Sequence, residues 1–188
     1  MTRLYLVRHG PTHQKVMTGW RDVPADLSDR AAIGRLSDYL PDAAPLVSSD
    51  LRRASATADR LSRPGRARLA HRADLREFDF GQWDGEPFDA LDPVQSRRFW
   101  DEPGDIAPPG GESWNAVARR VSRGIDALTQ DGPPALIVVA HMGPIMTQIA
   151  RTGLAPLAAL GHRIDPLSVT VLDLDGAGWR LERINHRP

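Results

Sequence analysis

The chain contains no cysteine, which excludes disulfide bonds, thiol catalysis and thiolate metal sites. It also has no run approaching the ~18 consecutive apolar residues of a transmembrane helix. Its first residues, Met-Thr-Arg-Leu, lack the apolar segment of roughly 7 to 15 residues that marks a secretory signal peptide. We therefore expect a cytoplasmic protein with no membrane partner.

The chain also has no net charge. The chain has 24 basic and 24 acidic residues, so it has no overall field to attract nucleic acid or anionic lipid. Any anion must therefore be bound by a local cluster of charges. With 188 residues, of which 41% are hydrophobic, the chain can form one domain with a full core and is short for two. We expect one domain, residues 1–188, and the composition leaves its oligomeric state open.

Short apolar runs alternate with longer segments of helical period, which predicts an α/β fold. The expected architecture is a three-layer α/β/α sandwich with a mostly parallel central sheet and an antiparallel edge strand. The predicted strands are residues 3–7, 45–48 and 135–140, followed by a terminal hairpin of 169–174 and 179–184. The predicted helices are residues 30–40, 51–61 and 112–128.

The middle segment, residues 86–111, is polar and rich in proline. We interpret it as an excursion over the carboxyl edge of the sheet, and hence as a lid. Its residues Arg97, Arg98, Phe99 and Trp100 could contact a leaving group, although an aromatic pair in such a segment serves packing at least as often.

Two histidines follow buried apolar strands directly. His9 comes after Leu-Val-Arg and is followed by Gly10, and His141 comes after Val-Val-Ala. Because ligands bind beyond the carboxyl ends of strands in α/β sheets, adjacent strands would bring both rings to one site. Arg8-His9-Gly10 then offers charge, a nucleophile and room for a ligand. Taken alone, the tripeptide fits equally a paired arginine beside a structural histidine.

A third predicted strand ends at Ser48 and leads into a helix with two arginines in its first turn, Arg52 and Arg53. We expect residues 48–50, Ser-Ser-Asp, to cap this helix. An arginine at that end can bind two phosphate oxygens with its guanidinium fork. One of the two would face inward and the other would be solvated, and the local pattern does not decide which.

Five separated segments resemble the histidine phosphatase superfamily, also called the phosphoglycerate mutase-like family. They are Arg8-His9-Gly10-Pro11-Thr12, the segment from Ser48 to Ala58, the segment from Leu75 to Gly85, and Pro109-Gly110-Gly111-Glu112-Ser113 followed by Val138 to Gly143. They span nearly the whole chain in the order of the family. The second motif aligns Arg53, rather than Arg52, with the family's arginine.

The resemblance implies a metal-independent phosphoryl transfer without a cofactor. His9 would attack phosphorus and form a phosphohistidine, while Arg8, Arg53 and a protonated His141 stabilise the oxygens. Glu77 would be the general acid and base; the nearest competing carboxylate is Asp79, and Glu77 on its own could equally be a surface partner of Arg76. The implied substrate-binding residues are Arg8, Gly10, Thr12, Arg53, His141 and Met142, with Gly10 giving phosphate access to the backbone.

Two departures from the family pattern lie near the first motif: Pro11 stands where an acidic or small residue is usual, and Lys15 replaces a frequent asparagine. The short chain resembles the compact phosphatase branch, and the expected partner is a small phosphorylated metabolite. An α-ribazole phosphate type of substrate is suggested by one branch, and sugar or glycerate phosphates stay open. The alternatives are a phosphoglycerate mutase-type transfer and a non-catalytic, phosphate-binding regulatory protein of the same fold.

Overall fold

Five strands form one mixed sheet in the computed structural model, which describes residues 1–188. The sheet order is β2-β3-β1-β4-β5. The strands are β1 (Thr2–Arg8), β2 (Leu46–Ser48), β3 (Ala135–Ala140), β4 (Val169–Asp175) and β5 (Gly178–His186). All five predicted strands are present, with bounds that differ by at most two residues at each end.

The pairing of the strands sets the position of the two histidines. β1 and β3 are parallel neighbours, with Arg8 opposite Ala140, so His9 and His141 leave the sheet side by side. β2 pairs parallel to β3 on its other side. β4 runs antiparallel to both β1 and β5, so the predicted hairpin does form the sheet edge, with β5 outermost. The antiparallel strand was expected at the edge of the sheet, but it is β4, which lies second from the edge.

Helices cover both faces of this sheet, as the α/β prediction requires. Alternate residues of β1 and β3 point to opposite faces: Leu4 and Leu6 belong to one apolar cluster, and Val7 belongs to the other. The second cluster packs against α1 (Arg30–Tyr39) and α2 (Arg52–Leu61). The first packs against α4 (Trp114–Thr129) and α5 (Met142–Ala150), while α3 (Pro93–Asp101) and α6 (Pro156–Leu160) complete the helices.

The predicted cap of α2 is wrong, although the helix itself is where the periodicity placed it. The N-cap residue is Leu51, and no side chain of residues 48–50 caps the helix. Instead Asp22, from a distant loop, accepts a hydrogen bond from the backbone N–H of Arg52 at 2.7 Å. Asp50 is held elsewhere, because its carboxylate accepts from Arg76 Nε at 2.8 Å. A cap supplied from 30 residues away leaves no local sequence signal.

Segment 86–111 contains a helix that the sequence analysis did not predict. α3 begins after Asp92, whose carboxylate accepts from the backbone N–H groups of Val94 and Gln95, and Pro93 occupies its first turn. This Asp-Pro start is a helix signal that the polar composition of the segment obscured. α5 and α6 also lay outside the predictions. None of the helices is both long and apolar enough to cross a membrane.

Candidate active site

His9 lies just beyond the end of β1, with only 6% of its surface exposed. Its Nδ1 lies 2.7 Å from the carbonyl oxygen of Gly10, and because a carbonyl can only accept, Nδ1 carries the proton. Burial, together with the positive charge of Arg53, lowers the pKa of His9 to about 3. The ring is therefore neutral near pH 7, and Nε2 carries the unprotonated lone pair.

Arg53, in the first turn of α2, is the inward arginine of its pair. It is 1% exposed, whereas Arg52 is exposed. Its guanidinium donates to the carbonyl oxygens of Arg21 (2.8 Å) and Gly19 (2.6 Å), and its Nε donates to His9 Nε2 at 3.3 Å. The two carbonyls orient the cation but leave its charge uncompensated beside His9.

Arg8 and His141 bring unpartnered polar atoms to the same place. Arg8 Nε and both ring nitrogens of His141 are buried without a hydrogen-bond partner, and the rings of His9 and His141 lie 5.0 Å apart. Buried polar groups are nearly always paired, so three such atoms around one histidine call for a ligand. Burial and the nearby Arg53 lower the pKa of His141 well below its ordinary value, which favours a neutral ring rather than the expected protonated one.

Glu77 follows a short 3-10 turn, Ala73–Leu75, and is 7% exposed. Its Oε1 accepts from the backbone N–H groups of Phe78 and Gly143, each at 3.0 Å. Burial raises the pKa of Glu77, while these N–H groups and the cations Arg53 and Arg8 oppose that rise. The carboxyl is thus a buried group that can hold a proton beside the arginines, and it is not a surface partner of Arg76.

A glycine makes room for this carboxyl. A Cβ built on Gly143 would lie 2.3 Å from Glu77 Oε1 and 2.3 Å from the ring of Phe78. Both distances are far inside van der Waals contact, so any larger residue at the start of α5 would displace Glu77. The motif His141-Met142-Gly143 contained this glycine, but nothing in the sequence revealed which side chain it accommodates.

A frame of side chains also fixes the backbone carbonyl of Glu77. Arg120 Nη2 donates to this carbonyl oxygen at 3.1 Å, and Trp20 Nε1 donates to it at 2.8 Å. Arg120 also binds the carbonyls of Asp74 and Arg76, and its guanidinium forms a two-bond ion pair with Glu112 (2.8 and 2.6 Å). No local pattern predicts these roles of Trp20, Glu112 and Arg120, because the carbonyl of Glu77 is distant from them in the chain.

A cavity of about 230 Å³ opens at His9. Its walls include four of the five expected catalytic residues, Arg8, His9, Arg53 and Glu77, and the expected contacts Thr12 and Met142, whereas the fully buried His141 does not line it. The other wall residues are uncharged: Gln14, Val16, Met17, Thr18, Phe80, Phe88 and Trp100. Arg97, Arg98 and Lys15 do not line it and are exposed, and Phe99 is buried in the core. Asp79 is also outside it, and its carboxylate accepts from the N–H of Gly81 at 2.9 Å.

Gly10 is required for a reason other than the expected one. It does not line the cavity, and a Cβ on it would lie 2.7 Å from Leu27 Cδ2 and 3.1 Å from the carbonyl oxygen of Asp26. Its N–H donates to Thr57 Oγ1 at 3.0 Å, and Thr57 in turn donates to the carbonyl oxygen of Arg53. Gly10 thus allows a loop to pack close behind His9 and ties β1 to α2.

A buried neutral histidine, a buried and a half-buried arginine, and a buried carboxyl around one cavity form a site for an oxyanion ester. The fold places them at the carboxyl ends of parallel strands, where α/β proteins bind ligands. Comparison with known proteins identifies the family. Residues 4–187 match the histidine phosphatase superfamily, branch 1, and the chain belongs to that family.

Several relatives of the chain are named as phosphatases. A glucosyl-3-phosphoglycerate phosphatase of Mycobacterium tuberculosis is 34% identical, with 96% of this chain and 92% of the relative covered. An adenosylcobalamin/alpha-ribazole phosphatase of Salmonella typhimurium is 31% identical, covering 98% and 96%. A bifunctional protein of Mycobacterium tuberculosis is 34% identical over 94% of this chain, which spans about half (52%) of that relative's length.

Solved structures agree with the fold. The structure of a protein called mycobacterial hydrolase 1 superposes with a TM-score of 0.86, at 27% identity and with 99% of each chain covered.

Proposed function

We propose that the chain is a metal-independent phosphatase that hydrolyses a small phosphomonoester through a phosphohistidine on His9. The observation that carries this proposal is the set of unpartnered buried atoms, Arg8 Nε and the two ring nitrogens of His141, beside a histidine whose Nε2 is unprotonated. A phosphate group supplies several acceptor oxygens to such a site.

The first step forms a bond between His9 Nε2 and phosphorus as the bond from phosphorus to the ester oxygen breaks. A neutral nucleophile suits this step because a phosphomonoester carries about two negative charges near neutral pH. Arg8 and Arg53 stabilise the charge on the equatorial oxygens, and the ring N–H of His141 donates to one of them. The positive charge that His9 acquires offsets part of the charge of the phosphoryl group.

Glu77 gives its proton to the departing alkoxide, so that the leaving group leaves as an alcohol. Its raised pKa favours the protonated form that this role needs. In the second step the Glu77 carboxylate accepts a proton from water, whose oxygen bonds to phosphorus as the bond to His9 breaks. Inorganic phosphate leaves, and both side chains return to their starting states.

The charge stabilisation that phosphoryl transfer requires is supplied in this proposal by the two arginines. The mutase alternative needs a second anion site for a bisphosphorylated intermediate, and no observation favours it. The cavity has no cation besides Arg8 and Arg53, and Lys15, which could have added one, is exposed outside the cavity walls. A non-catalytic, phosphate-binding role is not favoured, since nucleophile, acid and both arginines are all present.

The proposal is tested by hydrolysis of para-nitrophenyl phosphate in the presence of EDTA. Wild-type protein is expected to turn over many equivalents of substrate, and His9→Ala is expected to be inactive. Equal rates for the two proteins would refute the role of His9, and inhibition by EDTA would refute metal independence. In a separate reaction, 3-phosphoglycerate with a trace of 2,3-bisphosphoglycerate should not be isomerised; rapid formation of 2-phosphoglycerate would favour the mutase.

A further inference from the structure

A second cavity, of about 580 Å³, opens directly beside the first. The two share three wall residues: Arg8, Trp100 and Met142. Six apolar side chains line it, and we call this surface the apolar groove: Trp100, Met142, Met146, Leu157, Leu160 and Ile164. A group attached to a phosphate held by Arg8 can therefore extend into the apolar groove.

Exposed apolar side chains border this opening. Only five large hydrophobic residues of the chain are exposed, and two of them border the two cavities: Phe88, 62% exposed, at the phosphate cavity and Leu157, 55% exposed, at the apolar groove. An apolar surface next to a polar reaction centre is a feature of binding sites, because it favours ligands that cover it.

The wall formed by Trp100 is held in place. Its ring packs edge to face on Phe99, with centroids 4.7 Å apart, and lies 6.1 Å from Phe80. Phe99 and Phe80 are buried in the core, so the wall exists before any ligand binds. A preformed apolar wall costs little ordering entropy when it receives a ring.

The apolar groove has no free cation for a second anionic group. Its charged wall residues besides Arg8 are Arg163 and Asp165, which pair with each other at 2.6 Å, and the side chain of Arg163 is 80% exposed. The remaining titratable residue of the wall is His162. A carboxylate or second phosphate on the leaving group would therefore be desolvated without a compensating charge.

We propose that the apolar groove binds the leaving group of the substrate, and that this group is uncharged and carries an apolar ring. The phosphate is then the only anionic group of the substrate. This inference rests on the proposed phosphatase function, and it disfavours phosphoglycerates and bisphosphates as substrates of this chain. The carboxylate of a phosphoglycerate would find no partner in the groove.

The test compares three alkyl phosphates whose leaving alcohols need protonation to a similar degree: ethyl phosphate, 2-phenylethyl phosphate and 3-phosphoglycerate. The expected kcat/KM for 2-phenylethyl phosphate exceeds that for ethyl phosphate by about 10-fold to 100-fold, which is the range expected for burying one ring. For 3-phosphoglycerate we expect a kcat/KM at or below that of ethyl phosphate.

Leu157→Ser isolates the contribution of the groove, because this exposed side chain can be shortened without opening the core. The preference for 2-phenylethyl over ethyl phosphate should fall at least threefold. Val94→Ser is the matched control: Val94 is 67% exposed and lines neither cavity, so the preference should not change. Leu157→Lys, which adds a cation, should raise kcat/KM for 3-phosphoglycerate.

Three results would overturn the proposal. Equal kcat/KM values for ethyl and 2-phenylethyl phosphate, or a preference for 3-phosphoglycerate over both, would refute the groove as an apolar leaving-group site while leaving the phosphatase function standing. Failure to hydrolyse any phosphomonoester, para-nitrophenyl phosphate included, would refute the phosphatase function and this inference with it.

Discussion

Gly143→Ala adds a single methyl group next to Glu77, and the structure predicts a large effect from it. The new Cβ would lie 2.3 Å from Glu77 Oε1, whereas unstrained non-bonded carbon contacts begin near ~3.5 Å. The carboxyl must therefore move by about 1 Å, since the buried ring of Phe78 blocks the methyl from the other side. The hydrogen bond from Gly143 N–H to Glu77 would be lost or lengthened.

A displacement of about 1 Å in a reacting group can cost about 100-fold in rate. We expect kcat/KM for ethyl phosphate to fall by about that factor, because its alkoxide must receive a proton from Glu77. kcat/KM for para-nitrophenyl phosphate should change little, since para-nitrophenolate leaves without one. Overpacking against Phe78 should also lower the free energy of unfolding by about 1–3 kcal/mol, measured by urea denaturation.

Gly34→Ala is the matched control. Gly34 lies in the middle of α1, is exposed, and a Cβ there would meet nothing within 4 Å. Helix propensity predicts a gain in stability of about 0.4–1 kcal/mol and unchanged kinetics. The reasoning would be refuted if Gly143→Ala kept wild-type kcat/KM for ethyl phosphate, or if it lowered kcat/KM for both substrates by the same factor.

Three further predictions concern the same site. Arg120→Lys should lower kcat/KM for ethyl phosphate about tenfold, because a lysine cannot bind Glu112 and three carbonyls at once. The control Arg119→Lys should behave as wild type, because Arg119 is exposed. Equal losses of kcat/KM in the two variants would contradict the positioning role of Arg120. Glu77 must be protonated to act as an acid, so kcat/KM for ethyl phosphate should fall as the pH rises through the raised pKa of Glu77. Glu77→Gln should remove this pH dependence. An unchanged pH profile in the variant would contradict the role of Glu77 as the general acid. His9 must be neutral to attack, and its pKa is lowered to about 3. Protonation of His9 should therefore cause no loss of kcat/KM for para-nitrophenyl phosphate between about pH 6.5 and pH 4, after correction for the ionisation of the substrate. An inflection near pH 6.5 that persists in His141→Gln would contradict this prediction.

The positions of the strands along the chain and the meeting of His9 with His141 were predictable, because both depend on short apolar runs whose period and length are local. The choice of Arg53 over Arg52 required the family resemblance, since both arginines lie in one helical turn. Burial then explains the choice, because Arg53 is 1% exposed.

Side-chain hydrogen bonds that join loops and helices distant in the chain were not predictable from one sequence. Asp22 caps α2 from another loop, and Arg120 holds the carbonyl of Glu77 from 43 residues away. The neutral state of His141 was missed for a related reason. Its residue type suggests a cation, but complete burial beside Arg53 removes the solvation that a charged ring needs.

The central claim is that His9 accepts the phosphoryl group, and rapid-quench trapping tests it most directly. Protein mixed with ³²P-labelled substrate and quenched in base should carry up to one labelled phosphate per chain, stable in base and lost in acid, and mass spectrometry of the digest should locate it on His9. The label should appear and decay fast enough to account for kcat. Steady turnover without any acid-labile phosphoprotein, or with the label on another residue, would contradict the account.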